Sequence, residues 1–257
     1  MRGIKSLALL SFLVLGGCLE IEQTVTLSAD GSGSQTVHMV MREGLLAELA
    51  RRQPAAHLGE SGDPQAVFVK EKVGRELLAA GLELATHEVA SKAGVRTVDL
   101  TATFKDFATL QKSPLCGSAA EWELTKGPKP GMGKLTLYPQ GKAAWQQARE
   151  KAKAMTEELD PVAEAFFKSR QTQLAGLDVA VRFKVPGDVL VWTKNMEKTG
   201  DREVTARVTA DQIKTPKDLV RRLAPRYEVI FDAQATKLFG HASANLSGQS
   251  PAKNGGD

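Results

Sequence analysis

The sequence has few aromatics, few sulfurs and no long apolar span. Only 5% of its 257 residues are aromatic, and cysteine occurs twice, at Cys18 and Cys116. Two cysteines exclude a disulfide-dense scaffold, and four scattered histidines offer no spacing suited to a His/Cys metal cage. No apolar run reaches the ~18 residues that a spanning helix needs. A strong excess of one charge is also lacking. Lys and Arg number 34 against 30 Asp and Glu, a net +4 too small and too scattered for a nucleic-acid footprint. What is present is a chain 42% hydrophobic and 25% charged, long enough for one large domain or two modest ones around a buried core.

Catalytic motifs are missing as well. His87-Glu88-Val89-Ala90-Ser91 starts like a zinc-protease helix, but Ser91 stands where the second histidine is needed and the segment reads as a strand. Asp30-Gly31-Ser32-Gly33-Ser34 resembles a calcium loop only at its start; the position for the closing glutamate is Met41, and a hairpin turn is the better reading. Because no helix follows those glycines, they do not cradle phosphate. No G-x-S-x-G elbow occurs. Cys116, in the turn-like Ser113–Gly117, has no His or Asn beside it to activate a thiolate and is expected to be inert. Arg51-Arg52 and Arg221-Arg222 could meet anionic lipid heads, although solvated helix faces explain them more simply. The expectation is a protein that is not an enzyme, with no cofactor, no metal and no nucleic-acid partner.

The first residues are the most informative. Arg2 and Lys5 precede an apolar run, Leu7 to Leu15, broken only by Ser11, and then small Gly16 and Gly17 lead to Cys18. A positive flank, a short apolar core and a small-residue exit form a secretory signal. The junction Leu15-Gly16-Gly17-Cys18 resembles a bacterial lipobox. That resemblance implies cleavage between Gly17 and Cys18, a diacylglyceryl thioether on Cys18 and often a third, palmitate-like chain on the new amine. One chain holds a protein on a bilayer marginally, whereas two or three hold it durably. The mature chain would then begin at Cys18, facing the periplasm or the cell exterior. Leu19, which is not aspartate, leans towards the outer membrane under the Gram-negative sorting rule.

Alternation of polar and apolar residues places Leu19, Ile21, Val25 and Leu27 on one strand face; turn residues 28–34 and a second strand, 36–41, complete a hairpin. Further strands are expected at 82–89, 95–104, 121–125, 134–138, 177–185, 189–193, 203–209 and 227–231. Helices are expected at 43–52, near 67–80, at 106–111 and from Thr215 to about Leu223, the last capped by Thr215 with Pro216 at its first position. The strongest helical pattern runs through Trp145, Ala148, Ala152, Met155, Leu159, Val162 and Phe166, with Asp160-Pro161 able to start a second helix after a bend. Hairpins outnumber crossovers, so the fold class is α+β: mostly antiparallel sheets built from hairpins, with one long helix packed on a sheet. The expected organisation is a signal peptide at 1–17, an ectodomain at 18–237 with a soft boundary near 170–176, and a disordered tail at 238–257.

Two segments carry a family resemblance. One is Cys18 followed by the hairpin Ile21–Met41 with Ala29-Asp30-Gly31-Ser32-Gly33 at its turn. The other is Val179-Ala180-Val181-Arg182-Phe183-Lys184-Val185-Pro186-Gly187-Asp188-Val189, followed later by Glu203-Val204-Thr205-Ala206. Together they resemble the LppM-type family of bacterial surface lipoproteins, over about a third of the chain. Trp192 precedes Asn195 here, the reverse of the family's tendency, and the helical stretch 141–170 has no clear counterpart. The resemblance implies an α+β ectodomain and supplies no catalytic residues. The function expected is that of a lipid-anchored, extracytoplasmic binding or structural module, with the membrane as partner through acyl chains on Cys18 and a second partner in the envelope. The alternative is a carrier or sensor of a lipid or other amphiphile, held in a pocket lined by Trp145, Met155, Leu159 and Phe166 between the long helix and the sheet.

Overall fold

The computed structural model describes residues 19–44, 66–117, 119–155, 164–165, 167–169, 171 and 174–239. Its strands are β1 (Leu19–Leu27), β2 (Gly33–Arg42), β3 (Glu83–Lys92), β4 (Val95–Phe104), β5 (Glu121–Lys126), β6 (Met132–Tyr138), β7 (Leu177–Lys184), β8 (Val189–Trp192), β9 (Glu197–Gly200), β10 (Glu203–Thr209) and β11 (Tyr227–Asp232). The helices are α1 (Lys70–Ala79), the one-turn α2 (Phe107–Leu110), α3 (Lys142–Ala154) and α4 (Pro216–Leu223). The fold is α+β, with a seven-stranded sheet in the order β3-β4-β2-β1-β7-β10-β9 and a four-stranded sheet in the order β5-β6-β11-β8. All pairings are antiparallel except β1 with β7, which run parallel from Leu19↔Leu177 to Thr26↔Lys184. Strands from both sides of 170–176 therefore share one sheet.

The alternation seen in the sequence sets the faces. Val25, Leu27, Val37, Met41, Val98, Leu100, Ala102, Phe104, Phe183, Val204 and Ala206 point inward and are buried. They join Leu135, Leu137, Val229 and Phe231 of the second sheet in one core. Across the two sheets the Trp122 ring meets Phe183 edge-on, with centroids 5.9 Å apart. Val73 and Leu77 of α1 enter the same core. That helix ends at Gly81 (φ 84°), a left-handed position that glycine adopts without a Cβ clash, and the Leu82 amide closes back on Leu77 O at 2.8 Å.

Four expectations need correction. The helix that begins at Lys142 ends at Ala154, because Met155 is already extended (φ −74°, ψ 125°). It packs mainly on α4 rather than across a sheet, and Ala152 is its buried residue. Leu238 and Phe239, expected to lie in a tail, pack against the core, and the Lys237 amide donates to Ala29 O at 2.7 Å. An eleventh strand, β9, pairs with β10 through a sequence, Glu-Lys-Thr-Gly, that is exposed throughout and carries no apolar pattern. The helix expected at 43–52 falls largely outside the described residues, as do the signal peptide, Cys18 and residues 240–257.

Candidate functional site: a basic helical layer

Of the residues singled out beforehand, Leu15, Gly16, Gly17, Cys18, Leu159 and Phe166 lie outside the described residues. Leu19 is the first residue of β1. It is 4% exposed, and its amide donates to Gly176 O at 3.3 Å. The residue that follows Cys18 is thus already woven into the middle of the larger sheet.

Trp145 and Met155 do not line a common pocket. Met155 borders an open cleft of about 820 Å3 formed with Phe167, Gln171, Lys214, Pro216 and Arg221. Trp145 borders a second one, of about 470 Å3, with Arg149, Lys153, Asn195, Arg221 and Arg226. Both clefts are open to solvent, and Leu159 and Phe166, the other two residues of the expected pocket, lie outside the described residues.

Local chemistry builds the second cleft. The Thr215 hydroxyl accepts from the Asp218 amide at 3.0 Å while the Asp218 carboxylate accepts from the Thr215 amide at 3.0 Å, a reciprocal cap that starts α4 with Pro216 in its first turn. The chain leaving α4 carries Arg226 over the Trp145 ring, 5.0 Å from its centre, and Arg149 reaches the same ring at 5.6 Å. Tyr138 backs the indole with centroids 5.6 Å apart. Two guanidinium groups against one indole form a cation–π cluster.

Charge that is scattered in sequence is gathered here in space. Lys142, Arg149, Lys151 and Lys153 on α3, with Lys214, Lys217, Arg221, Arg222 and Arg226 on or beside α4, share these segments with only two acids, Glu150 and Asp218; from outside them Glu123 pairs with Lys142 at 2.7 Å and Glu164 borders the first cleft. The whole chain is only +4, so the rest of it is acidic on balance. Glu150 is held below the usual carboxylate range by its hydrogen bond to Lys153 and then by Lys153 and Arg149 charge. Asp218 is occupied by the α4 cap, and Glu228 lies 3.9 Å from Arg226. Among the described residues, neither Arg149 nor Arg221 forms an ion pair with a carboxylate. Sequence reading missed this layer because residues 142–153 and 214–226 each look like one more solvated helix face; only their packing makes a single basic surface.

The other candidates stand apart from it. Cys116 sits inside the fold, its sulfur accepting from Gln23 Nε2 at 3.1 Å and Gln35 Nε2 at 3.2 Å, and burial pushes the thiol up to about 12. Ser113 donates to the Gln35 side-chain oxygen in the same network. Gln23 and Gln35 occupy inward positions of β1 and β2, and an amide at an otherwise apolar register was the signal for this buried polar cluster. His87 hydrogen-bonds Val67 O at 2.9 Å, and His38 pairs with Asp99 at 2.6 Å on the solvated face of the larger sheet. No group of three or more His, Cys, Asp or Glu suited to a metal occurs among the described residues. Nor is any helix there long and apolar enough to cross a membrane.

No protein family matches this chain by sequence, and no curated protein does. Among solved structures, the chain is similar to the folded domain of LppM from Mycobacterium tuberculosis, determined by NMR. The two share 11% identity over 85% of this chain and 91% of that one, with a TM-score of 0.41.

Proposed function

We propose that this protein is a bacterial envelope lipoprotein, held at a membrane surface by acyl chains on Cys18, and that its ectodomain is a non-catalytic binding or structural module. The observation that carries this reading is the junction itself. A lipobox-like Leu15-Gly16-Gly17-Cys18 follows an apolar signal segment, and the very next residue, Leu19, starts the central strand of the larger sheet. Consecutive Cα atoms are about 3.8 Å apart, so an anchor at Cys18 leaves no linker between bilayer and fold. Tethering confines the domain to the surface and raises its effective concentration for partners in the envelope.

Replacing Cys18 tests the reading. Cys18→Ser is expected to abolish incorporation of labelled fatty acid and to leave the protein uncleaved or released from the membrane fraction. Membrane retention unchanged from the native protein, with no label in either, would refute the anchor.

A further inference from the structure

Resting on the reading of Cys18 as a lipid anchor, we propose that the basic face of α3 and α4, centred on Trp145, Arg149, Arg221 and Arg226, is the side of the domain that lies against the membrane, where it meets the anionic phosphate groups of the bilayer.

Position comes first. The Leu19 amide is bonded to Gly176 O at 3.3 Å, the Leu177 amide turns back to Leu174 O at 2.9 Å, and Gln171 Nε2 reaches Ile213 O at 3.0 Å, just before α4 begins. Three short hydrogen-bonded steps thus connect the anchored residue to the start of α4. That helix has eight residues, a length of about 12 Å. These bonds tie the start of α4 to the part of the larger sheet that carries Leu19.

Charge selects this face over the others. On the outward side of the larger sheet, cations are neutralised: Arg182 pairs with Glu22 at 3.0 Å and Glu203 at 3.3 Å, and Arg207 Nε donates to Asp178 at 2.7 Å. In the helical layer Glu150 is engaged by Lys153, Asp218 by the α4 cap and Glu228 by Arg226, and among the described residues Arg149 and Arg221 have no carboxylate partner. Trp145, half-buried between two guanidinium groups, adds an amphipathic ring of the kind that settles at a membrane–water boundary. A basic surface held beside a phosphate layer by a covalent anchor has that layer as its nearest complementary partner.

The experiment uses the acylated full chain reconstituted into vesicles whose lipids carry bromine near the head of the acyl chain, rich in phosphatidylglycerol or made of phosphatidylcholine alone. Tryptophan emission should be quenched several-fold more on the anionic vesicles. Trp145→Phe, made in a Trp192→Phe background because exposed Trp192 precedes Thr193 of the same cleft, should remove most of that lipid-dependent part; the buried Trp122 contributes little. The double variant Arg149→Glu/Arg221→Glu should abolish the difference between the two lipids while the protein still sediments with vesicles. Lys126→Glu, on the β5–β6 hairpin at the far end of the smaller sheet, should change nothing. Raising salt should release the quenching without releasing the protein. Equal quenching on both lipids, a lipid-dependent signal that survives Trp145→Phe, or indifference to the double variant would overturn the proposal; an acidic protein as the true occupant would give the first of these. Mass spectrometry of the Cys18 peptide separates the two layers of inference. An unacylated Cys18 removes the anchor and this proposal together, and an acylated protein with Trp145 unquenched removes this proposal alone.

Discussion

Between the sheets, Phe183, Leu100, Val204 and Val229 are all 1% exposed or less. On α3, by contrast, Ala152 is the buried residue, and the remaining positions meet solvent wholly or in part. The sheet interior is mostly apolar, and Gln23, Gln35, Ser113 and Cys116 form one hydrogen-bonded polar network within it. The helical layer is fastened by a cap, ring contacts and a shallow interface, and it accepts a charge density that the interior could not bury. The difference separates two tasks. On this division, stability is expected to reside in the facing sheets, and the charged layer is expected to tolerate changes that leave them folded.

The deepest cut at that comparison is Phe183→Ala. Phe183 is 1% exposed and touches Trp122 and Tyr227 across the two sheets, so its removal leaves a cavity where the sheets meet. The expected loss is about 3–5 kcal/mol, read as a lowered urea midpoint by circular dichroism. A loss below about 1 kcal/mol would place the stabilising contacts elsewhere. Thr215→Ala probes the other side. Loss of a helix cap costs about 1 kcal/mol, and hydrogen exchange should quicken at the first amides of α4 while the β1 and β2 amides stay protected. Exchange that quickens in the strands too would show that layer and sheets unfold as one unit.

This division also explains what the sequence could convey. Period-two alternation in 19–27, 95–104 and 203–209 reports an environment that differs sharply between two faces, and those strands were placed nearly to the residue. Thr215-Pro216 marks a helix start through local chemistry alone and was equally legible. Where neither signal acts, reading fails. β9 is exposed on all four residues and forms because β10 offers it an edge. The apolar spacing from Trp145 to Phe166 reads as one long helix or as two with a bend at Asp160-Pro161, and the first helix stops at Ala154, so periodicity alone does not place its end. The parallel β1–β7 pairing depends on chain path, which no short window encodes. The basic layer was hidden for the same reason. Its charges come from segments about 70 residues apart, and only tertiary packing adds them together.

The smallest effect tests how dry the interior is around Cys116. Burial raises the Cys116 thiol from 9.0 to about 12, against the opposing hydrogen bonds of Gln23 and Gln35. Below pH 9 the thiol is protonated in both folded and unfolded chains, and no pH dependence arises from it. Between 9 and 12 the unfolded chain sheds the proton while the folded one keeps it, so this stabilisation is present below the unfolded value and falls as pH rises. At about pH 9.5 the loss amounts to a little under 1 kcal/mol. Tyr227 is raised to about 12 by burial in the same sense, and would confuse a single titration. Comparison with Cys116→Ser cancels it, because serine keeps an acceptor for the two glutamines and does not titrate in this range. Urea unfolding at neutral pH and at about pH 9.5 should show the native protein losing more stability than the serine variant. Equal losses would mean that water reaches the sulfur, and that the interior between the sheets is less sharply set apart from the helical layer than its apolar residues imply.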